Sequence, residues 1–74
     1  MDNQERIKEI GKMVRKARTS LNITQAELGA ACGYSRKVSE AFIWQWETGR
    51  RAIPSTKYRT VASMLNLDIK DLVL

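Results

Sequence analysis

Histidine is missing from the 74 residues, and cysteine occurs once. A lone cysteine cannot form an internal disulfide, which fits a reducing compartment. With no histidine either, a Cys/His zinc site and a histidine general base are both ruled out. No apolar run approaches the ~20 residues of a membrane span. The opening residues Asp2-Asn3-Gln4-Glu5 are too polar and acidic for a signal peptide. Acidic residues are scarce relative to basic ones: 8 Asp and Glu against 13 Lys and Arg give a formal net charge of +5 and a pI of about 9.8. A domain pI above ~9 is the electrostatic footprint of a nucleic-acid binder, although net charge speaks to association and not to fold.

The length sets a second bound. It suits one domain over residues 1–74, and a chain this short buries only about 60% of its unfolded surface. Such a domain needs an efficient helical core or a partner subunit. It leaves little room for a cofactor-sized cleft. No convergent set of nucleophile, base and metal ligand is present, so the chain reads as a non-enzyme without cofactor or metal.

Hydrophobic spacing divides the chain into short helices. Beyond a frayed start to about Gln4, apolar residues at Ile7, Ile10, Val14, Ala17 and Leu21 form one helical stripe, with Lys8, Lys12, Arg15, Lys16 and Arg18 mostly off it. Gly11 is costly inside a helix, by about 1 kcal/mol relative to Ala, and its simplest reading is close approach of another element. Thr24-Gln25-Ala26-Glu27 has the pattern of a capping box, with Ile23 and Leu28 as a hydrophobic staple. The helix it starts runs over about 25–32, with Leu28, Ala31 and Cys32 inward, and stops at Gly33. Cys32 reads as a small buried hydrophobe. Ser35 and Ser39 can each cap a third helix. The longer version covers about 36–48 and puts Val38, Phe42 and Trp46 on one face. The shorter begins at Ser39 and leaves the preceding residues in a lengthened turn. Both end at Gly49. Arg50-Arg51-Ala52-Ile53-Pro54-Ser55 forms a basic loop, because Pro54 interrupts a helix. A fourth helix carries Tyr58, Val61, Ala62 and Leu65, and Asp68 caps a last short helix from Ile69 to about Val73.

A short capped helix, a glycine turn and a second helix make the pattern of a helix-turn-helix. The segments Arg18 to Leu28, Gly33-Tyr34-Ser35, Ile43 to Arg51, and Val61 to Leu67 together resemble the phage repressor and Cro-like helix-turn-helix family, from about Ile10 to Leu74. The resemblance implies an all-α, five-helix, lambda-repressor-like DNA-binding domain. It places Gln25 at a phosphate contact and makes Arg18 and Glu47 a structural salt bridge between the first and third helices. Gln45 falls at a groove-facing position, where an amide can pair with adenine. Thr48, Arg50 and Arg51 match a loop that grips the DNA backbone, and Lys57 joins the expected phosphate contacts.

One departure from the family stands out. The stretch between Gly33 and Ile43 is about four residues longer than usual, roughly one helical turn. If the third helix is the longer one, Arg36 and Lys37 stand at its leading end as base-reading candidates with Glu40, Ala41, Trp44 and Gln45. If the turn is lengthened, Arg36 and Lys37 become loop contacts to phosphate. Trp44 and Trp46 lie two apart, so only one can face the core, and Trp46 fits it. The closing residues Leu67, Ile69, Val73 and Leu74 are the dimer contact that the resemblance implies.

The expected function is therefore a sequence-specific, double-stranded DNA-binding regulator. A Cro-like repressor that binds a palindromic operator as a homodimer fits best, in a bacterial or phage-encoded, cytoplasmic setting. The competing expectation is an antitoxin-like helical module that sequesters a protein partner through the Phe42–Trp44 region or the apolar tail.

Overall fold

The structure is a computed structural model and describes residues 2–74. Four α-helices follow in order: α1 (Asn3–Ser20), α2 (Gln25–Ala31), α3 (Ser39–Glu47) and α4 (Tyr58–Leu65). Short 3-10 turns occupy Ser55–Lys57 and Ile69–Asp71, and among the described residues there is no strand. The expected fifth helix is thus a single 3-10 turn. The Asp68 carboxylate accepts from the Lys70 amide at 3.1 Å, and Leu72, 1% exposed, anchors the segment in the core.

α1 begins earlier than its apolar stripe suggests. Asp2 caps it, its carboxylate accepting the Glu5 amide at 2.8 Å, so residues 3 and 4 are helical. Ile10 and Val14 are buried as expected, but Leu21 is 43% exposed. The helix has ended at Ser20, and the left-handed Asn22 (φ 58°) turns the chain off the stripe. Gly11 answers its own cost. A Cβ there would collide with the main-chain carbonyls of Trp46 and Glu47, so α1 and the end of α3 touch backbone to backbone.

At the start of α2 the capping box is complete. The Glu27 amide donates to Thr24 Oγ1 at 3.0 Å, and the Thr24 amide donates to the Glu27 carboxylate at 2.8 Å. The helix stops at Ala31, and Gly33 follows with φ 89°. Leu28 and Cys32 are buried, but Ala31 is exposed and Gly29 is buried in its place. The missing side chain at Gly29 lets Ser39, the first residue of α3, seat directly against it.

The third helix is the shorter of the two versions. It starts at Ser39 and not near residue 36, and Ser35 to Val38 form a turn of their own. Two bonds converge on the Ser35 carbonyl, from the Val38 and Ser39 amides, both at 3.1 Å. Val38 then departs from helical geometry (φ −112°, ψ −7°) and offers no side-chain cap. The Ser39 hydroxyl turns back to the carbonyls of Ser35 (2.9 Å) and Tyr34 (3.3 Å). The tight seat of Ser39 on Gly29 fixes where α3 begins.

The core gathers Ile10 and Val14 of α1, Leu28 and Cys32, Ile43 and Trp46 of α3, Ile53 from the loop, Val61, Ala62 and Leu65 of α4, and Leu72. Beside it, Tyr34 packs edge-on against Phe42 (4.7 Å between ring centres) and Trp46 (5.9 Å). This contact docks the lengthened turn on the flank of α3.

Candidate nucleic-acid interface

A buried ion pair fixes the pose of α3. Arg18 Nε donates to one Glu47 oxygen at 2.6 Å and Nη2 to the other at 3.0 Å. Only 2% of the Glu47 side chain is exposed, so its charge depends on these donors. Gln25 Nε2 adds a third at 3.1 Å, and Arg18 Nη1 binds the Ile23 carbonyl at 2.9 Å. Four points of the chain, from the end of α1, the loop, α2 and the end of α3, are therefore tied together. Bidentate charge-assisted bonds of this kind add geometric precision as well as energy.

With Ser39, Ile43, Trp46 and Glu47 buried, helical periodicity turns the opposite arc of α3 outward. Glu40, Ala41 and Trp44 are exposed on it, while Gln45 and Phe42 are half-buried on one flank. Phe42 is held by Tyr34. Gln45 Oε1 is out of solvent and has no hydrogen-bond partner among the described residues, and an unmet buried acceptor is costly. Arg36 and Lys37 are exposed in the lengthened turn, off α3 and ahead of it.

The chain reverses immediately after α3. Gly49 takes φ 76°, and the amides of Arg50 and Arg51 both donate to the Gln45 carbonyl, at 2.9 and 3.3 Å. This reversal lays the Arg50 guanidinium over the exposed Trp44 ring, 4.8 Å from its centre. Arg51 is exposed beside it. The Thr48 hydroxyl donates to the Trp44 carbonyl at 2.8 Å. Lys57 lies farther round, its ammonium 5.2 Å from the centre of the Tyr34 ring.

A cleft of about 610 Å³ opens between the end of α1, the start of α2 and the outer face of α3, where Arg15, Asn22, Thr24, Gln25, Glu40 and Trp44 meet. The sequence alone assigns neither Arg15 nor Asn22 a DNA contact. The signal was present for Arg15, a basic residue off the apolar stripe one turn before Arg18. Asn22 gives none beyond its turn-forming character.

The apolar tail divides in two. Leu67 is half-buried on the core, while Ile69, Val73 and Leu74 are 42%, 44% and 50% exposed. Arg6 of α1 donates to the carbonyls of Asp71 (3.2 Å) and Val73 (3.4 Å), which holds the tail in place.

Among the described residues, three groups titrate away from their ordinary values. The Thr24 amide, and after it the Thr24 hydroxyl, hold the Glu27 carboxyl below its usual range by hydrogen bonding to its charged form. Burial pushes the Cys32 thiol up, partly offset by the Lys57 charge. Burial also raises the Tyr34 phenol, which Cys32 reinforces and Arg51 opposes. A buried thiol of raised pKa is the reverse of an activated nucleophile. Among the described residues, no group of acidic, cysteine or histidine side chains is placed to hold a metal ion. No helix among the described residues is long and apolar enough to cross a membrane.

Two helices crossing at a glycine seat, the second presenting a solvent-facing arc beside a cationic loop, define a helix-turn-helix DNA-binding unit. The helix-turn-helix family profile matches residues 14–72, and the chain belongs to the Cro/C1-type, phage repressor-like helix-turn-helix family. It is a DNA-binding transcription regulator. Comparison with curated proteins and with solved structures finds no significant match.

Proposed function

We propose that the protein is a Cro-like repressor that binds a palindromic operator as a homodimer and acts by occupying promoter DNA. The observation that carries this reading is the pose of α3. Its inner arc is locked by the Arg18–Glu47 pair, while its outer arc of Glu40, Ala41 and Trp44, with half-buried Gln45 on its flank, is left to the major groove. Direct readout needs such a rigid helix, because base edges are distinguished by bond geometry.

Phosphate contacts would come from both ends of this helix. Thr48, Arg50 and Arg51 follow it in the chain, Arg36 and Lys37 precede it, Gln25 bonds Glu47 at its end, and Lys57 lies over the Tyr34 ring. The lengthened turn supports moving Arg36 and Lys37 from base reading to phosphate binding, since neither is on α3. Gln25 keeps its carbonyl oxygen uncommitted while its amide nitrogen serves Glu47. Exposed Ile69, Val73 and Leu74 support the dimer contact, while half-buried Leu67 packs on the core.

The test is a salt titration of binding to duplex DNA, followed by selection of preferred sites. Counterion release predicts that log K falls linearly with log salt, with a slope of about −0.9 per phosphate neutralised. Selection should return a two-fold symmetric sequence. Arg50→Ala should weaken all duplexes alike and flatten the slope by about 1, while Gln45→Ala should relax choice at one position per half-site. Binding that is weak and indifferent to salt would sink this reading.

A further inference from the structure

The outer arc of α3 is unusual in its charge. Across Ser39–Glu47 there is no lysine or arginine, and there are two carboxylates, Glu40 and Glu47. Glu47 is consumed by Arg18 and Gln25. Glu40 is exposed, and among the described residues it takes part in no side-chain hydrogen bond or ion pair. It stands one residue before Ala41 and one helical turn before Trp44, at the leading end of the arc.

We infer that Glu40 is a specificity-determining residue that requires a cytosine, paired to guanine, at one fixed position in each half-site. This rests on the DNA-binding reading above. An ionised carboxylate only accepts hydrogen bonds. In the major groove it is repelled by guanine N7 and O6, adenine N7 and thymine O4, and it finds donors only at adenine N6 and cytosine N4. Adenine N6 lies beside the N7 acceptor, which faces the same side chain. Cytosine offers its amine without that adjacent acceptor. A carboxylate carried among phosphates is a liability on any sequence that fails to supply the amine, so the residue discriminates by exclusion as much as by attraction. Nearby cations lower the cost of the approach. Arg15 lines the same cleft as Glu40, and Arg50 lies over Trp44 one turn on. A recognition helix without cations also forgoes the Arg–guanine pairing that is the commonest specific contact.

The experiment is site selection with the full chain as wild type, Glu40→Ala and Glu40→Gln, with far-ultraviolet circular dichroism as a check on folding. Wild type should select cytosine at one position per half-site. Replacing that C·G pair by T·A should weaken wild type about ten-fold and leave Glu40→Ala unaffected. Glu40→Ala should lose preference in that position alone and keep the others. Glu40→Gln should shift the preference to adenine, because an amide pairs with N6 and N7 together. Two results would overturn the inference. One is an unchanged preference in Glu40→Ala. The other is uniformly tighter binding of Glu40→Ala to every duplex, which would make Glu40 a repulsive charge without readout. Failure of wild type to bind duplex in a salt-dependent way would remove the DNA-binding reading itself, a result separable from both.

Discussion

Glu47 is the residue on which the geometry of the site depends most. Its carboxylate is almost wholly out of water and holds three donors, two from Arg18 and one from Gln25. Removing one member of such a pair leaves an uncompensated buried charge, at a cost of about 3–5 kcal/mol. Arg18→Ala should therefore lower the unfolding free energy by about that much in urea denaturation, although Arg18 need not touch DNA. A loss under 1 kcal/mol would mean that water replaces the guanidinium freely. Glu27 gives a second test through pH. Its folded carboxyl titrates below the ordinary 4.5, so between the two values the unfolded chain binds more protons and stability rises with pH. The contribution is whole above about pH 4.5 and is lost as pH falls through the folded value. In Glu27→Gln, which keeps an acceptor for the Thr24 amide, the acid-side slope of stability against pH should be shallower. The stacking of Arg50 on Trp44 is testable at the same scale. Cation–π attraction at an exposed site is worth about 0.5–1 kcal/mol, and Trp44 is the solvent-exposed indole of the two, at 45% against 1% for Trp46. Arg50→Ala should change the fluorescence of Trp44 at neutral pH. A spectrum identical to wild type would place the guanidinium elsewhere in solution.

At the level of elements, the sequence was most legible where a local hydrogen-bond pattern decides the outcome. Thr24 and Glu27 mark the start of α2 because both halves of the capping box are encoded within four residues of chain. Gly49 marks the reversal after α3 because φ 76° suits glycine. The start of α3 was not legible, because Ser35 and Ser39 carry the same capping chemistry. What separates them is a contact between elements: Ser39 seats on Gly29, ten residues earlier in the chain. Leu21 misled for a related reason, since its stripe position counts only while the helix lasts. The family resemblance put Gln45 at a groove-facing position, but the half-burial of its side chain and the unpartnered Oε1 depend on neighbours that a motif does not supply. The Gly29 seat yields a prediction whose sign is set by two opposed effects. Alanine in a helix gains about 1 kcal/mol over glycine. Here its Cβ would lie 2.5 Å from Ser39 Cβ and 2.7 Å from Ser39 Cα, atoms fixed to the backbone that cannot rotate away. Overpacking of this kind costs about 1–3 kcal/mol, so Gly29→Ala should lower the denaturation midpoint and weaken DNA binding by moving α3. A stabilised variant would show that α2 and α3 can part without cost.

At the scale of the whole molecule, the proposed dimer asks one small body for a stable core and an apolar surface outside it. Its extents are 34 × 22 × 22 Å, and one helix-turn-helix head covers a single half-site, whereas dimeric members of this motif class read two half-sites about one helical turn of DNA apart. The candidate dimer surface lies on the tail, whose position is set by buried Leu72 and by Arg6 reaching the Asp71 and Val73 carbonyls. The outward residues Ile69, Val73 and Leu74 can be altered without touching that anchor, whereas a change at Leu72 would unfold the segment and confuse the result. The double variant Val73→Ser, Leu74→Ser should keep its far-ultraviolet spectrum yet sediment as a monomer where wild type sediments as a dimer. On a full two-fold site its affinity should fall toward that for an isolated half-site, because each head then binds without the linkage that raises effective concentration. If the variant still sediments as a dimer, the two-fold contact lies elsewhere on the surface. If it is monomeric but binds the full site undiminished, association through the tail contributes nothing to operator recognition.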